Sequence, residues 1–149
     1  MSSSSNLFDD VRALYNDAIR QHGRHPAHGT RLSVFDGQAR GDNPMCGDRV
    51  QVFVRREGGR VAEAGFEARG CEVSIASADL MCDIVAGVAA DHIPAMMEQV
   101  ATLARTGECP ACDSRLMAFS AVHEFSSRAR CVTLPWAALV AALAQGESR

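Results

Sequence analysis

Asp48-Arg49-Val50-Gln51-Val52-Phe53-Val54-Arg55-Arg56-Glu57-Gly58-Gly59-Arg60-Val61-Ala62-Glu63-Ala64-Gly65-Phe66-Glu67-Ala68-Arg69 is the stretch whose reading decides the fold. Val50, Val52 and Val54 alternate along 48–56, which predicts a strand with one apolar face. A second strand over 60–69 carries Val61, Ala64 and Phe66. Between them, Glu57-Gly58-Gly59 offers the positive φ that a tight hairpin requires. A weaker strand over 31–40 precedes the pair, so the expectation is an antiparallel three-stranded meander.

Outside this hairpin the apolar period changes to that of a helix. Leu7, Phe8, Val11, Leu14, Tyr15, Ala18 and Ile19 form a stripe over 7–23, ended by Gly23, Pro26 and Gly29. Helices are predicted over 73–85, 93–105 and 133–145, with a short piece at 115–122. Pro135 is placed in the first turn of the last one, where a missing N–H costs little. Strands first and helices after them indicate an α+β fold: a small antiparallel sheet with the N-terminal and C-terminal helices on one face. The expected organisation is a tail at 1–6, one domain over 7–145 with an insertion at about 106–127, and a tail at 146–149.

The chain has 149 residues, of which 47% are hydrophobic, enough for one core without disulfide staples. All 15 basic residues are Arg, which removes Lys-based covalent chemistry and leaves carboxylates, five His and six Cys as the reactive groups. A net charge of −3 with no basic stripe argues against nucleic acid. No apolar run approaches the roughly 18 residues of a membrane span, and no targeting signal is visible. A cytoplasmic, reducing location is therefore expected, in which six Cys point to metal or thiol chemistry.

Three Cys stand at predicted element boundaries. Cys46 lies in Asn43-Pro44-Met45-Cys46-Gly47-Asp48, a turn in which Gly47 lets thiolate and carboxylate approach one point. Cys71 follows Gly70 at a strand-to-helix junction, where the helix N-terminus favours thiolate. Cys131 follows Arg128-Ala129-Arg130 and is expected just before a helix. Taken alone, Cys46 and Cys131 read first as structural or incidental Cys, and Cys71 reads either way. Together with Asp48 they make a four-ligand set suited to zinc or to an iron–sulfur cluster, though spacing leaves open whether they meet.

The motifs themselves resemble those of the IscU/SufU/NifU N-terminal type of iron–sulfur cluster assembly proteins. The likeness rests on Asn43-Pro44-Met45-Cys46-Gly47-Asp48, on Phe66 through Gly70-Cys71 to Ser77-Ala78, and on Arg128-Ala129-Arg130-Cys131-Val132-Thr133-Leu134 with Trp136. It runs from about residue 7 to 143. Arg130 stands where IscU-type scaffolds carry His, and the long insertion is similar to the SufU branch, so a dedicated Hsp70 chaperone is not expected. The resemblance implies metal ligation by Cys46, Asp48, Cys71 and Cys131, holding Zn(2+) or, alternatively, iron or a [2Fe–2S] cluster. It implies a cysteine desulfurase as partner and downstream assembly machinery or apoproteins as recipients. Cys46 is expected to accept persulfide sulfur, with Cys131 as the alternative acceptor and Asp48, a hard ligand on a soft site, keeping the metal labile. A transient cluster scaffold, a structural zinc module and a thiol redox protein are the competing readings.

The remaining candidates read as bland. Cys109-Pro110-Ala111-Cys112 sits in the insertion without the βαβ context of a thioredoxin-like site, and reads as an exposed loop able to form a reversible disulfide. Cys82 shares a helix face with Cys71 but lies roughly 16 Å along the axis, too far for shared ligation. His22, His25 and His28 read as surface-loop residues rather than a metal tract, though for His22 the resemblance implies a role in structure or docking, and His92 and His123 read as ordinary polar positions.

Overall fold

The computed structural model describes residues 15–146. Helix α1 (Asp17–Arg24) comes first, its N-terminus capped by the Asn16 side chain, which accepts from the Ile19 N–H. Leu7, Phe8, Val11 and Leu14 of the predicted first helix lie outside the described residues, as do the expected tail at 1–6 and residues 147–149. Strands β1 (Gly37–Asn43), β2 (Asp48–Glu57) and β3 (Arg60–Arg69) follow in an antiparallel sheet of order β1-β2-β3. Then come α2 (Glu72–Val85), a 3₁₀ turn at Ala90–His92, α3 (Ile93–Thr106), a 3₁₀ segment at Ser114–Glu124, and α4 (Ser126–Gly146). This is the α+β meander-and-helices architecture that the order of periodicities implied.

Alternation places Val50, Val52 and Val54 of β2 on the inner face, opposite Ala68, Phe66 and Ala64 of β3. Val73, Ala76, Leu80 and Met81 of α2 and Trp136 and Leu139 of α4 complete the core above them. Phe53 points to the other face, where it is buried beside Phe35 at a ring separation of 5.0 Å, with the Arg31 guanidinium 5.2 Å from both rings. Helices thus cover one face, and the irregular chain at 25–36 protects part of the second.

The first strand lies at Gly37–Asn43 rather than 31–40. Its inward positions are Gly37, Ala39 and Gly41, opposite Val54, Val52 and Val50. They carry no apolar signal because α4 packs directly on them: a Cβ at Gly41 would stand 3.0 Å from Leu134 Cδ1, and one at Gly37 would overlap the Ala142 carbonyl. The last helix begins at Ser126, not 133, so Pro135 is inside it and Cys131 is a helix residue rather than one preceding a helix. Pro135 supplies no N–H to the Cys131 carbonyl four residues back. One residue on from Cys131, the buried Ser77 hydroxyl donates to the Val132 carbonyl at 2.6 Å, tying α4 to α2 where the helix is weakest. The short helix expected at 115–122 is the 3₁₀ segment.

His22 and His28 both anchor on α2, His22 in the docking role that the resemblance implied. Asp79 of α2, 1% exposed, sits 2.7 Å from His22 Nδ1 and accepts the His28 backbone N–H at 2.8 Å, while His28 Nε2 lies 2.6 Å from Asp83. These contacts dock α1 and the start of the 25–36 segment onto α2. The surface-loop reading holds for His25 alone, which is exposed. Cys82 is buried, and burial pushes its thiol well above the ordinary range, as an inert core residue requires. Cys109 is also buried, and it is disulfide-linked to Cys112 across a Cα separation of 5.4 Å; the exposed-loop reading of this pair is corrected accordingly.

Candidate metal centre

Three different local structures deliver the sulfurs. Cys46 lies in the turn between β1 and β2, which closes because the Asn43 carbonyl accepts the N–H groups of Cys46 (3.2 Å) and Gly47 (2.8 Å). Gly47 has φ 73°, a conformation open to glycine at little cost, and it returns the chain to the Asn43–Asp48 pair. Cys71 is the N-cap of α2, following Gly70. Cys131 projects from the second turn of α4 and is fully buried.

These elements bring three of the four expected ligands, Cys46, Asp48 and Cys131, into one cluster. Cys46 Sγ is 3.4 Å from Cys131 Sγ, and Cys131 Sγ is 2.9 Å from Asp48 Oδ2. The ligand atoms of Cys46, Asp48 and Cys131 all lie within 4.8 Å of one another. Cys71 adjoins this trio through the carboxylate: its Sγ is 3.2 Å from Asp48 Oδ2, and its backbone N–H donates to Asp48 Oδ1 at 3.1 Å. Gly70 is required for this approach, since any Cβ there would overlap the Asp48 carboxylate.

The donor set fits a soft divalent ion. Tetrahedral zinc with Zn–S near about 2.3 Å sets its sulfur ligands about 3.8 Å apart, close to the separation of Cys46 and Cys131. The electrostatics favour charge on Asp48 and Cys71 and oppose it on Cys131. Burial pushes the Asp48 carboxyl up, but the Cys131 and Cys71 thiols and the Cys71 amide outweigh it and hold the group below its ordinary value. The neighbouring Cys131 thiol lowers Cys71 to about 6; against the opposing pull of burial, the Ser74 amide adds to the effect. Cys131 is pushed the other way, by Cys71 first, then by burial and Asp48. Charge is therefore favoured on the helix-cap sulfur and disfavoured on the buried one.

Two contributors went unread in the sequence. Asn43, 4% exposed, directs Nδ2 at Cys46 Sγ (3.1 Å) and Cys131 Sγ (3.8 Å). Arg128, one helical turn before Cys131, faces Cys71, Tyr15 and Cys131; burial opposes its charge, yet these neighbours raise its pKa above the ordinary value. Both sit within the quoted motifs, but only the folded geometry shows where their side chains lead.

The NifU-like N terminal domain model matches residues 14–132. The chain is 30% identical over 154 residues to the zinc-dependent sulfurtransferase SufU of Bacillus subtilis, with 99% of this chain and 98% of that protein covered. It is 28% identical over 134 residues to the iron–sulfur cluster assembly scaffold protein IscU of Streptococcus pyogenes serotype M1, covering 87% and 82%. Among solved structures, the N-terminal part of a NifU-like protein from Brucella abortus superposes with a TM-score of 0.84 at 22% identity, covering 94% of this chain and 99% of that one.

Proposed function

This chain belongs to the family of NifU-like N-terminal domains, and on that premise we propose that it accepts persulfide sulfur from a cysteine desulfurase for iron–sulfur cluster assembly. The observation that supports the reading is the clustering of Cys46, Asp48 and Cys131, with Cys71 against the Asp48 carboxylate, Cys46 half-exposed on a turn and Cys131 fully buried behind it. A macromolecular donor reaches the outer sulfur first, so Cys46 is the acceptor. Its likeness to the Bacillus subtilis zinc-dependent sulfurtransferase over nearly the whole chain supports the same view.

Cys46, Asp48, Cys71 and Cys131 would hold Zn(2+), which when bound keeps thiols deprotonated at neutral pH. The residues do the rest. Cys46 thiolate attacks the terminal sulfur of the donor's cysteine persulfide; the donor S–S bond breaks, its thiolate leaves, and a new persulfide stands on Cys46. The sulfur is transferred at constant overall oxidation level, so no external oxidant or reductant enters. Asp48, the one oxygen donor among these sulfurs, would keep such an ion loosely held, so that Cys46 would be free to act. Cys131, 3.4 Å from Cys46, is the sulfur that a second, internal transfer would reach.

The test is mass spectrometry after mixing with persulfide-loaded desulfurase. Wild-type protein gains one sulfur atom on the peptide carrying Cys46, and Cys46→Ser gains none. A Cys46→Ser protein that still passes sulfur onward overturns the reading. The likeness to IscU scaffolds supports a second reading, assembly of a transient [2Fe–2S] cluster on the same ligands. Anaerobically purified protein that is colourless with stoichiometric zinc favours sulfur transfer, and brown protein carrying iron favours the scaffold.

A further inference from the structure

We propose that Asn43 is a positioning residue that holds the Cys46 and Cys131 sulfurs through its carboxamide, a role that rests on the sulfur-accepting function of the site. The residue has no solvent to face, being 4% exposed, so its amide must find partners inside. Its Oδ1 accepts the Met45 N–H at 3.1 Å. That bond fixes which end of the planar amide faces the turn, and it leaves the two Nδ2 hydrogens aimed inward. The groups they meet are sulfurs, Cys46 at 3.1 Å and Cys131 at 3.8 Å. The same residue's backbone carbonyl accepts the Cys46 and Gly47 N–H groups. Asn43 therefore holds Cys46 from both the main chain and the sulfur.

An amide donor on a thiolate sulfur has two consequences. It stabilises charge there, since hydrogen bonds to ionised groups are the strong ones. It also draws electron density from the sulfur, so the thiolate binds an ion less tightly and is freed for attack more readily, as outer hydrogen-bond partners of metal ligands commonly tune their metal. This would matter most at Cys46, because an acceptor sulfur held by an ion would have to be released before it attacks. Aspartate has the same shape and could keep the Met45 bond, but it offers no donor and puts a negative charge against two sulfurs.

The experiment uses full-length protein loaded with Co(II), whose sulfur-to-metal charge-transfer band reports thiolate electron density directly. In Asn43→Asp the band moves to longer wavelength, and turnover of persulfide transfer falls on the order of tenfold, the usual scale for such partners, while the KM for the donor stays within twofold. Should Asn43→Asp fail to fold by circular dichroism, Asn43→Ala, which keeps the backbone carbonyl, must show the same band shift. Unchanged band position and unchanged turnover in a folded variant overturn the proposal. The outcome is separable from the function itself. If Cys46→Ser still passes sulfur, the transfer reading fails while the Asn43 band shift stands. If Cys46→Ser is dead and the Asn43 variants match wild type in band and turnover, only the Asn43 role is lost.

Discussion

Replacing Gly70 with Ala tests whether the carboxylate of Asp48 is what joins Cys71 to the other ligands. Gly70 has φ 153°, and a Cβ placed on it would overlap the Asp48 carboxylate and stand 3.0 Å from its Cα. Asp48 is 2% exposed, so it has nowhere to swing without leaving its partners. The bond that breaks first is the Cys71 N–H to Asp48 Oδ1, a hydrogen bond to a charged group worth about 1.5–3 kcal/mol. Backbone strain at the junction adds about 1–3 kcal/mol. The stiffer unfolded chain returns about 0.4–1 kcal/mol. The net expectation is a loss of about 2–5 kcal/mol, a large share of the roughly 5–15 kcal/mol that holds a domain together. Gly59→Ala is the control, because Gly59 has φ 79° but nothing within 4 Å of an added Cβ. It carries strain without the collision and should cost about 1 kcal/mol. Urea unfolding of both variants in chelator, so that no metal contributes, gives the comparison. If the two variants lose the same stability within about 0.5 kcal/mol, the collision with Asp48 is not what Gly70 avoids, and the structural reason given for the Gly-Cys pair is wrong.

The metal-free protein should show a low-pH thiolate. Cys71 is lowered from 9.0 to about 6, so its contribution to stability is complete above the ordinary thiol value and is lost as pH falls through about 6. Cys131 is raised, so its contribution is present below the ordinary value and is lost as pH rises beyond it. Iodoacetamide labelling of the Cys71 peptide should therefore reach half its maximal rate near pH 6; a midpoint near the ordinary value would refute the assignment. At the sheet edge, Gly41→Val drives a side chain against Leu134, and overpacking of this kind should cost about 1–3 kcal/mol in urea unfolding; an unchanged midpoint would mean that α4 does not lie on β1. Reducing the Cys109–Cys112 disulfide frees a very short loop, for which chain entropy gives about 2 kcal/mol at most. A fall in Tm of several degrees with zinc affinity unchanged is expected, whereas loss of zinc would tie this pair to the metal centre.

The turn at Cys46 and the junction at Cys71 were legible from local rules, while their joint reading as candidate ligands came from the motif resemblance. Gly47 and Pro44 announce a turn around Cys46, and Gly70 before Cys71 marks a junction where a side chain cannot be tolerated. What the sequence hid was long-range. Pro135 looks like a helix start from its neighbours alone, and only the Ser77 hydroxyl on the Val132 carbonyl, 55 residues away in the chain, shows the helix continuing through it. The β1 strand was displaced because its inner residues are chosen for smallness against α4, and smallness leaves no periodic trace. Asp79 gathering His22 and His28 from 57 and 51 residues away is likewise invisible to any local rule.

The register of the β2–β3 hairpin carries the decisive information for the site, and it was written in the sequence as a broken alternation. From the Gly58-Gly59 turn, a regular ladder beginning at Glu57–Arg60 would set Val54 opposite Glu63 and Val50 opposite Glu67. Two carboxylates would then enter the core, which burial forbids without partners. The structure avoids this with a one-residue bulge between Arg55 and Arg56, after which Val54 faces Ala64, Val52 faces Phe66 and Val50 faces Ala68. The signature is the three-residue step from Val61 to Ala64, where strict alternation demands two. Continued past the Arg49–Arg69 pair, the shifted ladder sets Asp48 against Gly70 and carries Cys71 to the carboxylate. Without the shift Asp48 would face Arg69, and the helix-cap sulfur would be offset by one residue with its side chain on the wrong face. The core's demand for apolar pairs and the site's demand for a shared carboxylate are thus met by the same extra residue.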